Sequence, residues 1–135
     1  MKLIVCVDDK NGLSFNNRRQ SRDRVVAEKI AAITEGKTLW TSPYSACLFQ
    51  DLRVELRVCD EYIQCALPGD YVFVELQEPL PVLEKASGVY VFRWNRSYPQ
   101  DRVFPMKLLD KKMKLISTEI FEGKSHPAIT LEVYE

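Results

Sequence analysis

The stretch Lys2 to Asp8 is nearly continuous in apolar, largely β-branched side chains and ends abruptly at Asp8-Asp9-Lys10. A strand that is apolar on both faces must be covered on both, so it predicts a central place in a sheet with helices above and below. The next forty residues fit that demand. Asp9-Lys10-Asn11-Gly12 supplies turn chemistry, Ser14 to Gln20 reads as a polar loop, and Ser21 offers an N-cap for a helix from Arg22 to Thr34. Val26, Ile30 and Ile33 form an apolar stripe on that helix, Gly36 ends it, and Lys37 to Thr41 reads as a second strand.

The remainder continues the pattern. Ser42-Pro43 opens a turn and a brief helix to Phe49, and Leu52 to Val58 alternates strictly, as a strand with one wet face does. Asp60 to Ala66 reads as a helical turn, Asp70 to Leu76 as a core strand, and Glu78-Pro79-Leu80-Pro81 as a connection. Val89 to Trp94 is a further strand, and Met113 to Phe121 with Ala128 to Tyr134 makes an antiparallel pair around the turn Glu122 to Ser125. Alternating strands and helices followed by strands alone predict an α/β sheet, mostly parallel, with an antiparallel edge.

The chain has 135 residues, the size of one domain, with apolar residues at 46% and charged residues at 28%. Acidic and basic side chains balance at 19 each, so the overall charge favours neither nucleic acid nor membrane as a partner. The apolar opening is too short to cross a bilayer. Four cysteines without a C-x-x-C pair, and one histidine, leave no zinc ligand set; they fit reduced thiols in a cytoplasmic protein and exclude a zinc-dependent ribonuclease. No catalytic residue, no cofactor and no metal is expected. His126, beside Pro127, reads as a surface turn residue, and with this one histidine at the far end of the chain no triad is expected. Asp8 and Asp9 lie at the carboxyl end of a central strand, where α/β sheets place their sites, and also read as turn formers.

Several short motifs sit at mutually consistent spacings: Val7-Asp8-Asp9-Lys10-Asn11-Gly12-Leu13, Asn16-Asn17, Thr34-Glu35-Gly36-Lys37, Asp101-Arg102-Val103-Phe104-Pro105 and the closing Glu132-Val133-Tyr134-Glu135. Together they resemble the dihydrofolate reductase family, in its opening strand and active-site loop, its T-x-G-K step, its D-x-x-F-P element and its last strand. The resemblance implies a dihydrofolate reductase-like α/β fold over residues 1–135, with a mostly parallel central sheet, helices on its faces and a C-terminal antiparallel hairpin.

The departures from that family are specific. Val26 stands where the resemblance places the acidic residue that helps deliver a proton, and a valine can neither donate a proton nor bond a pterin. Gln20-Ser21 replaces a Pro-Trp pair, and Ser42-Pro43-Tyr44-Ser45 replaces a Gly-Arg-x-Thr phosphate grip. Glu75-Leu76 replaces the Gly-Gly pair that admits a pyrophosphate. A helix and strand expected for the cofactor's adenosine end are missing between Phe49 and Leu52.

What remains is Arg18-Arg19-Gln20-Ser21-Arg22-Asp23-Arg24, four arginines around a helix start. Asn17, Arg18, Arg19, Gln20, Ser21, Arg22 and Asp23 are the expected ligand-binding residues, gripping a small phosphate- or carboxylate-bearing molecule. The bland alternative is a solvated helix face balanced by Asp23 and Glu28. Competing readings are a diverged nicotinamide-dependent reductase of a pterin- or nucleotide-like substrate, and an interaction protein or homodimer using Leu52 to Val58 or a patch around Trp94. Nucleic-acid binding through Arg93 to Tyr98 or Phe15 is disfavoured, because Trp94 and Tyr98 more often cap a core.

Overall fold

A computed structural model describes every residue from Met1 to Glu135. The opening run forms β1 (Lys2–Val7), and it lies at the centre of a seven-stranded sheet. Its neighbours β6 (Tyr71–Phe73) and β7 (Gly88–Arg93) run parallel to it. Beyond β6 come β4 (Thr38–Thr41) and the edge strand β5 (Glu55–Val58), also parallel. Beyond β7 come β10 (Ile129–Tyr134) and β9 (Leu115–Phe121), both in antiparallel pairings, with a register shift between Val133 and Tyr134.

Side-chain alternation along β1 explains its unbroken apolarity. Leu3, Val5 and Val7 enter one core with Val72, Val89, Val91, Leu83 and Leu109. Ile4 enters the other, with Val26, Ile30, Phe73, Phe92 and Leu131. Helix α1 (Arg24–Ile33) covers the second core through Val26, Ala27 and Ile30. Helices α4 (Pro79–Lys85) and α5 (Met106–Lys112) cover the first through Val82, Leu83, Met106 and Leu109. Two single-turn helices, α2 (Pro43–Ala46) and α3 (Tyr62–Cys65), complete the connections. No helix is long and apolar enough to cross a membrane.

Several sequence expectations need correction. Ser21 does not cap α1; Asp23 does, with extended backbone and its side chain accepting from the Val25 amide at 2.9 Å. The helix therefore starts at Arg24 and leaves Ser21 and Arg22 in the preceding segment. The polar loop is instead a hairpin of β2 (Gly12–Phe15) and β3 (Arg18–Arg19), to which β8 (Arg102–Val103) adds a third strand. Asn16 and Asn17 both adopt positive φ, 53° and 56°, which a two-residue hairpin turn with right-handed strand twist requires. The Pro79-Leu80-Pro81 segment is the start of α4: prolines in the first turn lose no hydrogen bond, since those amides have no intrahelical acceptor. The strands expected over Leu52–Val58 and Asp70–Leu76 pair only over Glu55–Val58 and Tyr71–Phe73.

The two faces of the sheet set the cost of substitution. Ile4 is fully buried, so Ile4→Ala should cost about 3 kcal/mol in denaturant unfolding. Ile120 is 71% exposed on the edge strand, so Ile120→Ala should stay within about 0.5 kcal/mol.

Candidate functional site

The carboxyl ends of the parallel strands meet the start of α1 and the C-terminal hairpin turn, and the Asp23 carboxylate joins them. Its side chain is wholly buried. Oδ1 accepts from the amides of Val25 and Lys124, both at 2.9 Å. Oδ2 accepts from the Ser125 amide at 2.8 Å, the Ser125 hydroxyl at 3.1 Å and His126 Nδ1 at 3.0 Å. Burial by itself would raise this carboxyl's pKa; the hydrogen bonds from Lys124, His126, Ser125 and Val25 outweigh it and hold the group far below the ordinary carboxylate range. The approach is close: a Cβ on Gly123 would lie 2.6 Å from Asp23 Oδ2, so only glycine lets the turn come down onto the carboxylate.

His126 is therefore not a surface turn residue. It is buried, and its ring stacks on Trp94 with centroids 4.6 Å apart and planes 26° apart. Because an ionised carboxylate only accepts, Asp23 places the proton of a neutral imidazole on Nδ1 and leaves Nε2 as an acceptor. Ser21 Oγ lies 3.0 Å from Nε2, and the Tyr98 hydroxyl lies 3.2 Å from it. A serine, a histidine and an aspartate thus stand in hydrogen-bonded series, an arrangement that no spacing in the linear chain foretells.

Beside this series opens a cavity of about 340 Å³. Its apolar wall comes from both sides of the second core, with Val26, Ile30, Phe49, Phe73 and Trp94. Its polar lining includes Ser21, Arg22, Arg24, Lys124 and Ser125. Arg22, Arg24 and Lys124 have no carboxylate partner within 4.0 Å, although Arg24 donates to the Gln50 carbonyl at 3.0 Å. Cys6 also lines the cavity, and burial together with the Glu75 charge pushes its thiol pKa well up, so it is a poor nucleophile.

The expected binding residues are divided. Ser21, Arg22 and Asp23 line this cavity, whereas Arg18, Arg19 and Gln20 line a second one with Phe15, Tyr98 and Pro99. The four arginines do not form one cluster. Arg19 is committed to Glu75 by two bonds of 3.0 Å and sits over the Tyr44 ring at 4.3 Å. Burial lowers its pKa, but the Glu75 hydrogen bond and charge prevail and raise it. The Gln20 amide donates to Asp8 Oδ2 and the Pro99 carbonyl, and Asn17 sits at the exposed hairpin tip. Asp8 is a turn former: its carboxylate accepts from the amides of Lys10, Gly12 and Tyr98. Trp94 is buried and offers no surface patch.

No protein-family model and no curated protein sequence matches the chain. Among solved structures it is similar to a dihydrofolate reductase from Enterococcus faecalis complexed with NADP(H) and RAB-propyl, with 11% identity and a TM-score of 0.65. The match covers 99% of this chain and 94% of that one. The molecule is a mixed α/β protein with a mainly parallel central sheet. More particularly, it has the dihydrofolate reductase-like fold, in a strongly diverged sequence.

A carboxyl whose pKa is lowered by folding stabilises the fold fully above its unfolded value, near ~4, and progressively less as the pH falls below that. Asp23→Asn should cost about 3 kcal/mol at neutral pH, since it removes a buried charge and mismatches several donors. Unfolding measured at a series of pH values should show the gap between wild type and variant narrowing below about pH 4.

Proposed function

We propose that the chain binds a small, partly apolar molecule carrying an anionic group in the cavity at the head of α1, and that it does not reduce a pterin. The observation that carries this reading is the pairing of an apolar wall with Arg22, Arg24 and Lys124, three cations without carboxylate partners. Of the two carboxylates in the lining, Glu75 is neutralised by Arg19 and Asp23 is consumed by five donors. The local field is therefore positive although the chain as a whole is neutral. Guanidinium forks suit a carboxylate or phosphate, and a cavity of this volume takes a metabolite of modest size.

The nicotinamide cofactor that the fold family implies does not fit these residues. The Glu75 carboxylate is fixed by Arg19 and by the Ser45 hydroxyl at 2.7 Å, where the resemblance calls for glycines beside a pyrophosphate. A pyrophosphate there meets a buried, ion-paired side chain instead of open amides. Val26, on the cavity wall, offers no proton to a substrate.

A thermal-shift screen of carboxylated and phosphorylated metabolites should find ligands that raise the Tm by several degrees. Arg22→Ala combined with Lys124→Ala should weaken such a ligand roughly 10- to 100-fold, from the loss of two charge-assisted contacts. Titration with NADPH should give no saturable shift; saturable binding would return the reductase reading to favour.

Self-association is a second reading with its own observation. Edge strand β9 leaves Leu115, Ile116 and Ile120 exposed, and an apolar edge with unpaired backbone groups is a template for another strand. Light scattering across a concentration series should then show a dimer that Ile120→Lys disrupts, with unfolding otherwise unchanged.

A further inference from the structure

The geometry points to Ser21 as a nucleophile activated by His126 and Asp23, making the cavity a site for hydrolysis of small carboxylic esters. Three observations converge on it. The oxygen of Ser21 is 3.0 Å from His126 Nε2, and Nδ1 of the same ring is 3.0 Å from Asp23 Oδ2, both within the reach a nucleophile and its base require. Ser21 lines the cavity, so the serine faces a space that a substrate can occupy. The aspartate is held ionised by donors from two separate chain segments, and the imidazole is held in place by stacking on Trp94. The structure thus supplies nucleophile, base and orienting group, which is the set of roles by which such a triad is recognised.

The lining defines the substrate class. Val26, Ile30, Phe49 and Phe73 accept a short apolar acyl group, and Arg22 and Lys124 favour an acidic substituent on the alcohol or acyl part. That charge preference rests on the proposed anion binding, whereas the nucleophile does not. The cations Arg22 and Lys124 in the lining favour negative charge developing on a carbonyl oxygen in the cavity.

The chemistry balances without an oxidant, metal or cofactor. As the Ser21 oxygen bonds to the carbonyl carbon, its proton passes to His126 Nε2, and the carbonyl electron pair moves onto oxygen. Collapse breaks the ester C–O bond, and the departing alcohol takes the proton from Nε2. Water then adds to the acyl-serine while giving a proton to Nε2, and that proton returns to the Ser21 oxygen as the free acid leaves. Asp23 stays ionised throughout and stabilises the transient imidazolium. The Tyr98 hydroxyl, also directed at Nε2, gives the ring a second partner while the serine oxygen is acylated.

The test uses the full chain with a fluorophosphonate probe and with p-nitrophenyl acetate and butyrate. Intact mass and peptide mapping should show a single adduct on Ser21, and ester turnover should fall by roughly 10³-fold in Ser21→Ala. Ser21 is only half-buried, so that variant should fold, which its melting curve checks. His126→Gln, checked for folding in the same way, should lose labelling at Ser21. An unlabelled Ser21 in folded wild-type protein, or turnover that survives Ser21→Ala, would overturn the assignment. Labelling at Ser21 without stabilisation by any anion would leave the triad standing and remove the proposed anion binding; stabilisation without labelling would do the reverse.

Discussion

The buried Asp23 carboxylate is the point on which the rest of the site depends. It caps α1 through Val25, anchors the C-terminal turn through Lys124 and Ser125, and orients His126. A buried charge survives only if its hydrogen-bonding capacity is filled, and here one donor from the helix start and four from the C-terminal turn fill it. The consequence is mechanical as well as electrostatic: the helix start and the hairpin turn cannot separate without exposing the carboxylate or leaving its donors unpaired. A cap contributes about 1 kcal/mol in isolation, but this one also closes a chain loop of about a hundred residues, bringing the end of the chain to its first helix.

A second buried carboxylate, Glu75, has a complementary effect. Paired with Arg19 and Ser45, it removes one arginine from the positive rim and fills with an ion-paired side chain the place where the resemblance calls for glycines. The dihydrofolate reductase-like fold carries these side chains at the ends of its strands. Val26 contributes to an apolar cavity wall, and a Ser–His–Asp series stands at the helix start. Folds commonly host unrelated sites in this way, because the sheet and its two cores place few demands on the side chains at the strand ends.

Much of the architecture was legible because it follows from local pattern. The two-sided apolarity of Lys2 to Val7 required a central strand, and the stripe of Val26 and Ile30 required a helix packed on the sheet. The errors arose where a local signal had two meanings. Pro79 and Pro81 break a strand but suit the first turn of a helix. Asn16 and Asn17 read as loop residues but also supply the positive φ of a tight hairpin. Ser21 and Asp23 are both good caps, and the hairpin's reach decided between them by letting the turn after β9 descend onto the aspartate.

By itself, then, the sequence determined the central strand, the helix packed on the sheet and the two apolar faces of β1, since each of these depends on periodicity at short range. Only the tertiary structure decided the site. His126 lies more than a hundred positions from Ser21 and Asp23, with an ordinary turn around it, and no pattern in a linear chain encodes that meeting. It exists because β10 runs antiparallel beside β7, carrying the turn that precedes it back to the head of α1, where a buried charge could be satisfied only by drawing the segments together.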